Sequence, residues 1–202
     1  QMVMAKGFQV VGYLLESVSP QCWTVATVDA LEKLAMAVQP CQPLFRELFE
    51  NVYLNFRIWI YTDVQVQQGL FAAIHQHTRR QPAYFRRLVT VQRLIDILRA
   101  FYWFTPEPAS LGVQPIVNPT TFETLGKRPE HQNIKKMRVC VLQLARAMAP
   151  DGFTEAEVQA FLRYLQDCQD PEQGMDVLQM FLAMVTHGKN MKYDLWQQLY
   201  HS

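Results

Sequence analysis

The residues Val158, Phe161, Leu162 and Leu165 stand at i, i+3, i+4 and i+7. That spacing puts four apolar side chains on one face of a helix, whereas a strand would split them between its two faces. Thr154 and Glu157 have capping-box spacing: the hydroxyl accepts an orphan N–H and the carboxylate reaches back to the cap. Pro150-Asp151-Gly152 just before them is turn chemistry. The pattern predicts a helix over Thr154 to Gln166.

The same period recurs along the chain. Met137, Val141, Leu144, Ala145 and Met148 form a stripe that predicts a helix from Gln132 to Met148. Leu94, Ile95, Leu98, Phe101 and Tyr102 do the same from Val91 to Trp103. Val66, Leu70 and Ile74 predict a helix from Asp63 to Arg80 with Asp63 as N-cap. Val28, Leu31, Ala35 and Val38 mark one from Thr24 to Val38, and Phe8, Val11 and Leu15 one within Met2 to Ser17. Leu44, Leu48 and Val52 follow Pro43, which suits a first helical turn. Asn55 to Tyr61 alternates weakly and reads as a short helix or turn under an aromatic plug. From Pro171 to His187 apolar residues surround the axis, the signature of a buried inner helix.

Helices joined by short, proline-marked turns give an all-α chain, read as an armadillo/HEAT-like helical solenoid segment. No internal repeat of fixed period is visible, and such repeats often degenerate. Residues 1–104 and 132–202 are expected to be helices of the same solenoid. Between them, residues 105–131 are expected to form a flexible linker, because Pro106, Pro108, Pro115, Pro119 and Pro129 with two glycines leave no helical stripe. The composition agrees with a folded chain, since 50% of residues are hydrophobic and only 18% charged, too apolar for general disorder. No apolar run approaches the roughly 20 residues of a membrane span, and no signal-like leader follows Gln1. Cys22, Cys41, Cys140 and Cys168 lack a C-x-x-C pair and are expected to be buried or half-buried thiols in a reducing compartment, although their even number also permits disulfides.

Recognisable catalytic sequence is absent. None of the four serines lies in G-x-S-x-G, and there is no phosphate loop or dinucleotide fingerprint. His75 and His77 are two apart on a helix, so they point roughly 200° apart and do not share a metal. Asp167 and Asp170 read as solvated turn residues rather than an acid pair. No catalytic residue, metal or cofactor is expected. Arg79, Arg80, Arg86, Arg87 and Arg93, with Arg99, cluster around a single acid, Asp96. They read as a solvated helix face whose stems cover apolar surface, or as a basic ridge for an acidic partner or anionic lipid. The net charge of +1 gives no support for nucleic-acid binding, and no nucleic-acid partner is expected. Phe101-Tyr102-Trp103-Phe104 reads as core filling at a helix end, with a peptide platform as the alternative.

Several stretches resemble the helical region upstream of the BEACH domain in the neurobeachin family. They are Gly7-Phe8 with Val11-Gly12-Tyr13-Leu14-Leu15, then Asn55-Phe56-Arg57-Ile58-Trp59-Ile60, Val64-Gln65-Val66-Gln67, Tyr102-Trp103 and Met175-Asp176-Val177-Leu178-Gln179. Their order and rough spacing also agree. The region after Trp103 and the Ala-, Gln- and Arg-rich middle are more similar to the neurobeachin-like subgroup. The resemblance implies a very large cytosolic protein, peripherally associated with endomembranes, in which this segment is a non-catalytic protein-interaction scaffold for vesicle and granule traffic. Its partners would be other trafficking proteins, with peripheral contact to anionic membrane. A structural spacer and a helical lipid-binding module are the alternatives. The linker reading has a direct check: limited proteolysis should cut first between Thr105 and Glu130, and first cleavage inside Thr154 to Gln166 would contradict the layout.

Overall fold

The computed structural model describes residues 7–102, 129–167 and 171–187. Among them there are ten α-helices, one 3-10 turn (Pro20–Cys22), one π-helix (Phe49–Tyr53) and no strand. The helices are α1 (Gly7–Glu16), α2 (Val25–Val38), α3 (Gln42–Leu48), α4 (Phe56–Trp59), α5 (Val64–Arg80), α6 (Pro82–Val89), α7 (Val91–Ala100), α8 (His131–Met148), α9 (Glu155–Asp167) and α10 (Pro171–His187). The expected linker lies mostly in residues 103–128, outside the described residues.

Local chemistry sets the helix starts. The backbone N–H of Thr154 donates to Glu157 Oε2 at 2.8 Å and Glu157 N–H returns to Thr154 Oγ1 at 3.4 Å, the reciprocal pair that spares two orphan donors. Asp63 Oδ1 accepts from Gln65 N–H at 3.2 Å at the head of α5, and Thr24 caps α2 through Thr27. Between α6 and α7 the chain breaks at Thr90, whose φ of +55° is rare for a β-branched residue. Its hydroxyl accepts from Arg93 N–H at 3.3 Å and so starts α7. The periodicity alone had not separated α6 as a helix of its own.

Each helix packs on others within three places of it in chain order. The α1 helix lies on α3, the π-helix and α4; α2 lies on α3 and α5; α5 lies on α2, α6 and α8; α7 lies on α8 and α9; and α10 lies on α8 and α9. That progression is solenoid-like, with α5 against α8 as its most extensive interface. The core is aromatic. Trp23 meets Trp59 edge-on at 4.7 Å and Phe49 stacks on Tyr53 at 4.3 Å. Tyr102 is fully buried, as core filling requires, and Phe101 is half-buried; Trp103 and Phe104 lie outside the described residues.

The α10 helix corrects its sequence reading. Val177, Met180 and Phe181 are buried, but Met175, Leu178 and Leu182 are each about half exposed on the other side. Among the described residues the helix is therefore covered on one face.

Two substitutions probe this packing. A Cβ on Gly12 would collide with the carbonyl oxygen of Asn51 in the π-helix. Gly12→Ala should gain about 1 kcal/mol of helix propensity yet lose more by forcing two backbones apart, for a net destabilisation on the order of 1–2 kcal/mol. Phe181→Ala should cost about 3–5 kcal/mol through transfer and cavity terms. Denaturant melts read both; an unchanged midpoint for either variant contradicts the packing described.

Candidate functional site

The five arginines singled out by the sequence do not form one ridge. Arg86, on α6, sends Nε to Glu157 Oε1 at 2.8 Å, Nη2 to Glu157 Oε2 and Nη2 to the Gly152 carbonyl at 3.2 Å. It clamps α6 to the start of α9. Arg93, on α7, donates Nη2 to the Glu50 carbonyl at 3.1 Å in the π-helix. Burial pulls the Arg93 guanidinium below the ordinary arginine pKa, with Glu50 opposing. Arg79, Arg80 and Arg87 are exposed, and among the described residues no carboxylate pairs with them.

Arg79 instead faces a cleft of about 580 Å³ lined by His75, Pro82, Gln143, Arg146, Ala147 and Pro150. His75 and Arg79 are four apart on α5, hence on one face. Gln143 and Arg146 are three apart on α8 and face them across the cleft. A shallower hollow joins His75, Gln76, Arg79 and Arg80 on the outer side. The His75 imidazole is held below its ordinary pKa, first by burial and then by Arg79. Sequence reading missed Arg146 because 67 positions separate it from Arg79, and only the α5–α8 packing brings them together.

Other polar groups are spent on the fold. Arg138 is fully buried on α8 and gives Nε to Asp176 Oδ2 on α10 at 3.0 Å. His77, 2% exposed, lies 2.8 Å from Glu32 Oε1 on α2, with its ring among Phe45, Phe49 and Phe85. Tyr53 is pushed well above the ordinary phenol range by burial and then by the same Glu32. The His77–Glu32 pair joins α2 to α5, with the imidazole buried among aromatic rings. His75, by contrast, lines the open cleft, so the two histidines serve different surfaces. Cys22 and Cys41 are free and exposed, against the expectation of buried thiols, and Cys140 is free and half-buried. Cys168 lies outside the described residues. Among the described residues no group of three or more His, Cys, Asp or Glu side chains is placed to hold a metal, and no helix is long and apolar enough to cross a membrane.

The clamp predicts a contrast between adjacent residues. Arg86→Leu should destabilise by on the order of 2 kcal/mol, because it removes charge-assisted hydrogen bonds and strands Glu157. Arg87→Leu should stay within about 0.5 kcal/mol. Burial raises the Glu157 pKa, but the hydrogen bonds from Arg86 and Thr154 outweigh it and leave the carboxyl below its ordinary value. A depressed folded-state pKa stabilises above the unfolded value and is lost as pH falls through the folded one. The difference between Arg86→Leu and wild type should therefore shrink in acid melts, and a constant difference down to full carboxylate protonation would contradict the clamp.

The profile of one family, described as Neurobeachin/BDCP, DUF4704 alpha solenoid region, matches residues 1–195. BEACH domain-containing protein B of Arabidopsis thaliana is 28% identical over 189 residues, covering 92% of this chain and 7% of that protein. BEACH domain-containing protein lvsE of Dictyostelium discoideum is 30% identical over 191 residues, covering 83% of this chain and 9% of that protein. A putative neurobeachin homolog of Caenorhabditis briggsae is 25% identical over 203 residues, covering 92% of this chain and 8% of that protein. The chain thus spans less than a tenth of the length of these relatives. No solved structure matches it significantly.

Proposed function

The chain belongs to the neurobeachin/BDCP alpha-solenoid family, and from that premise we propose that it is a non-catalytic protein-interaction scaffold segment acting in intracellular vesicle and granule membrane traffic. The observation that carries this reading is the alpha-solenoid match along residues 1–195. Stacked helices expose long surfaces to partners while each unit contacts only its neighbours. The packing described above keeps each helix within three places of its partners in chain order. The polar clusters support the same reading, because Arg86–Glu157, Arg138–Asp176 and His77–Glu32 each join two helices.

On this reading the segment works in the cytoplasm, at the periphery of endomembranes. Its partners are trafficking proteins. The exposed Arg79, Arg80 and Arg87 give it a contact for acidic protein surfaces or anionic membrane, whereas Arg86 and Arg93 act inside the fold. It works without cofactor, metal or nucleic acid.

Affinity capture tests the reading. The 202-residue chain is immobilised beside a charge-matched helical protein and exposed to cytosol and to detergent-solubilised vesicle membranes. Specific recovery of vesicle-trafficking proteins is expected. Recovery of nothing above the control would leave a structural spacer, and copurifying lipid without protein would make the segment a lipid-binding module.

A further inference from the structure

The cleft between α5 and α8 does not end at Arg146. Gln143 and Arg146 also line a second hollow, a trough of about 190 Å³ between α8 and α10 walled by Val139, Leu142, Met180 and Ala183. The two hollows therefore adjoin along the Gln143–Arg146 edge of α8. Their chemistry differs. The trough is mainly apolar, and Asp176 at its edge is already held by Arg138. The cleft is basic.

The size of that basic charge decides what it suits. Basic residues in a last helical turn ordinarily offset the helix dipole, and Arg79, Arg80 and Arg146 all occupy last turns. Two helix C-termini contribute roughly half a negative charge each, against the two full positive charges of Arg79 and Arg146 in the cleft, so about +1 remains there, and Arg80 in the hollow beside Arg79 adds to it. Asp151, beyond Pro150, acts on Arg86. Among the described residues no carboxylate forms an ion pair with any of the three arginines. A flat bilayer surface does not enter a cleft walled by two helices, and a free small anion leaves the adjoining trough empty.

We propose that these two adjoining hollows dock an acidic peptide segment of a partner protein, with carboxylates against Arg79 and Arg146 in the cleft and an apolar side chain in the trough beside Val139, Leu142 and Met180. The proposal deepens the scaffold reading and rests on it. Charge steers the segment and sets its direction; the trough supplies the apolar anchor.

Fluorescence anisotropy with labelled synthetic peptides tests it. The probe is a short peptide carrying consecutive glutamates at one end and two leucines at the other, and the variants are made in the full 202-residue chain. The proposal expects salt-sensitive binding. The double variant Arg79→Glu/Arg146→Glu should weaken it at least tenfold, whereas Arg163→Glu, at an exposed site on α9, should leave it unchanged. Val139→Asp should weaken the glutamate–leucine peptide but not one with serine in place of leucine. Circular dichroism checks that each variant stays folded. Equal affinity in the charge-reversed variant, or equal affinity for a lysine-substituted peptide, overturns the proposal. So does loss of binding to phosphatidylserine vesicles in the same variant when no peptide binds, which would make the arginines a membrane contact. If the charge-reversed chain still captures the wild-type set of trafficking proteins, the docking site is wrong while the scaffold reading stands.

Discussion

Helix α5 is packed by α2, α6 and α8, and one buried amide sets where it begins. Gln67 is fully buried and donates Nε2 to the carbonyls of Ile60 at 3.3 Å and Thr62 at 3.0 Å, the turn that leads into α5. Its Oε1 accepts from the Tyr102 hydroxyl at 2.8 Å, just beyond α7. A buried amide left unpaired costs several times what a satisfied one contributes, so this network admits one register. The His77–Glu32 pair, the α8 interface and the cleft all inherit their positions from it.

Charge follows the same division between fold and surface. Arg86, Arg93 and Arg138 are drawn into hydrogen bonds with a carboxylate or carbonyl of another element. Each holds two elements together, and removing any one strands an acid or a carbonyl. Arg79, Arg80 and Arg146 come off helix ends at the surface and meet no acid there among the described residues. Linear proximity in sequence does not distinguish the two kinds, since Arg86 and Arg87 are adjacent and behave oppositely.

Much of the helical layout was legible because its signals are local. The Thr154–Glu157 box, the Asp63 cap and the apolar stripe of α8 need only neighbouring residues to act, and each appears where the spacing placed it. The short helix α4 under Trp23 and Trp59 likewise matches the aromatic plug expected there. What escaped was non-local. The break at Thr90 does not follow from propensity, because a β-branched residue disfavours positive φ; it lets α6 pack on α5 and α8 while α7 packs on α8 and α9. The cleft needed α5 and α8 side by side before His75 and Arg146 met. The outer face of α10 is apolar by composition, and composition does not say which apolar side chains find a neighbour.

The π-helix has a meaning for how this chain tolerates changes in length. From Phe49 to Tyr53 the ladder carries one residue more than an α-helix would, with Leu54 N–H reaching back five positions to the Phe49 carbonyl at 2.9 Å. The Val52 carbonyl is free to accept from the Trp59 indole at 2.8 Å, and the Asn51 carbonyl turns toward Gly12. Deleting one residue here would repair the ladder, but it would rotate everything downstream by about 100° relative to α3. Trp59 would lose its acceptor and Gly12 of α1 its seat on Asn51 together. The segment that looks most like a local defect is therefore a spacer whose length is fixed by two contacts outside it.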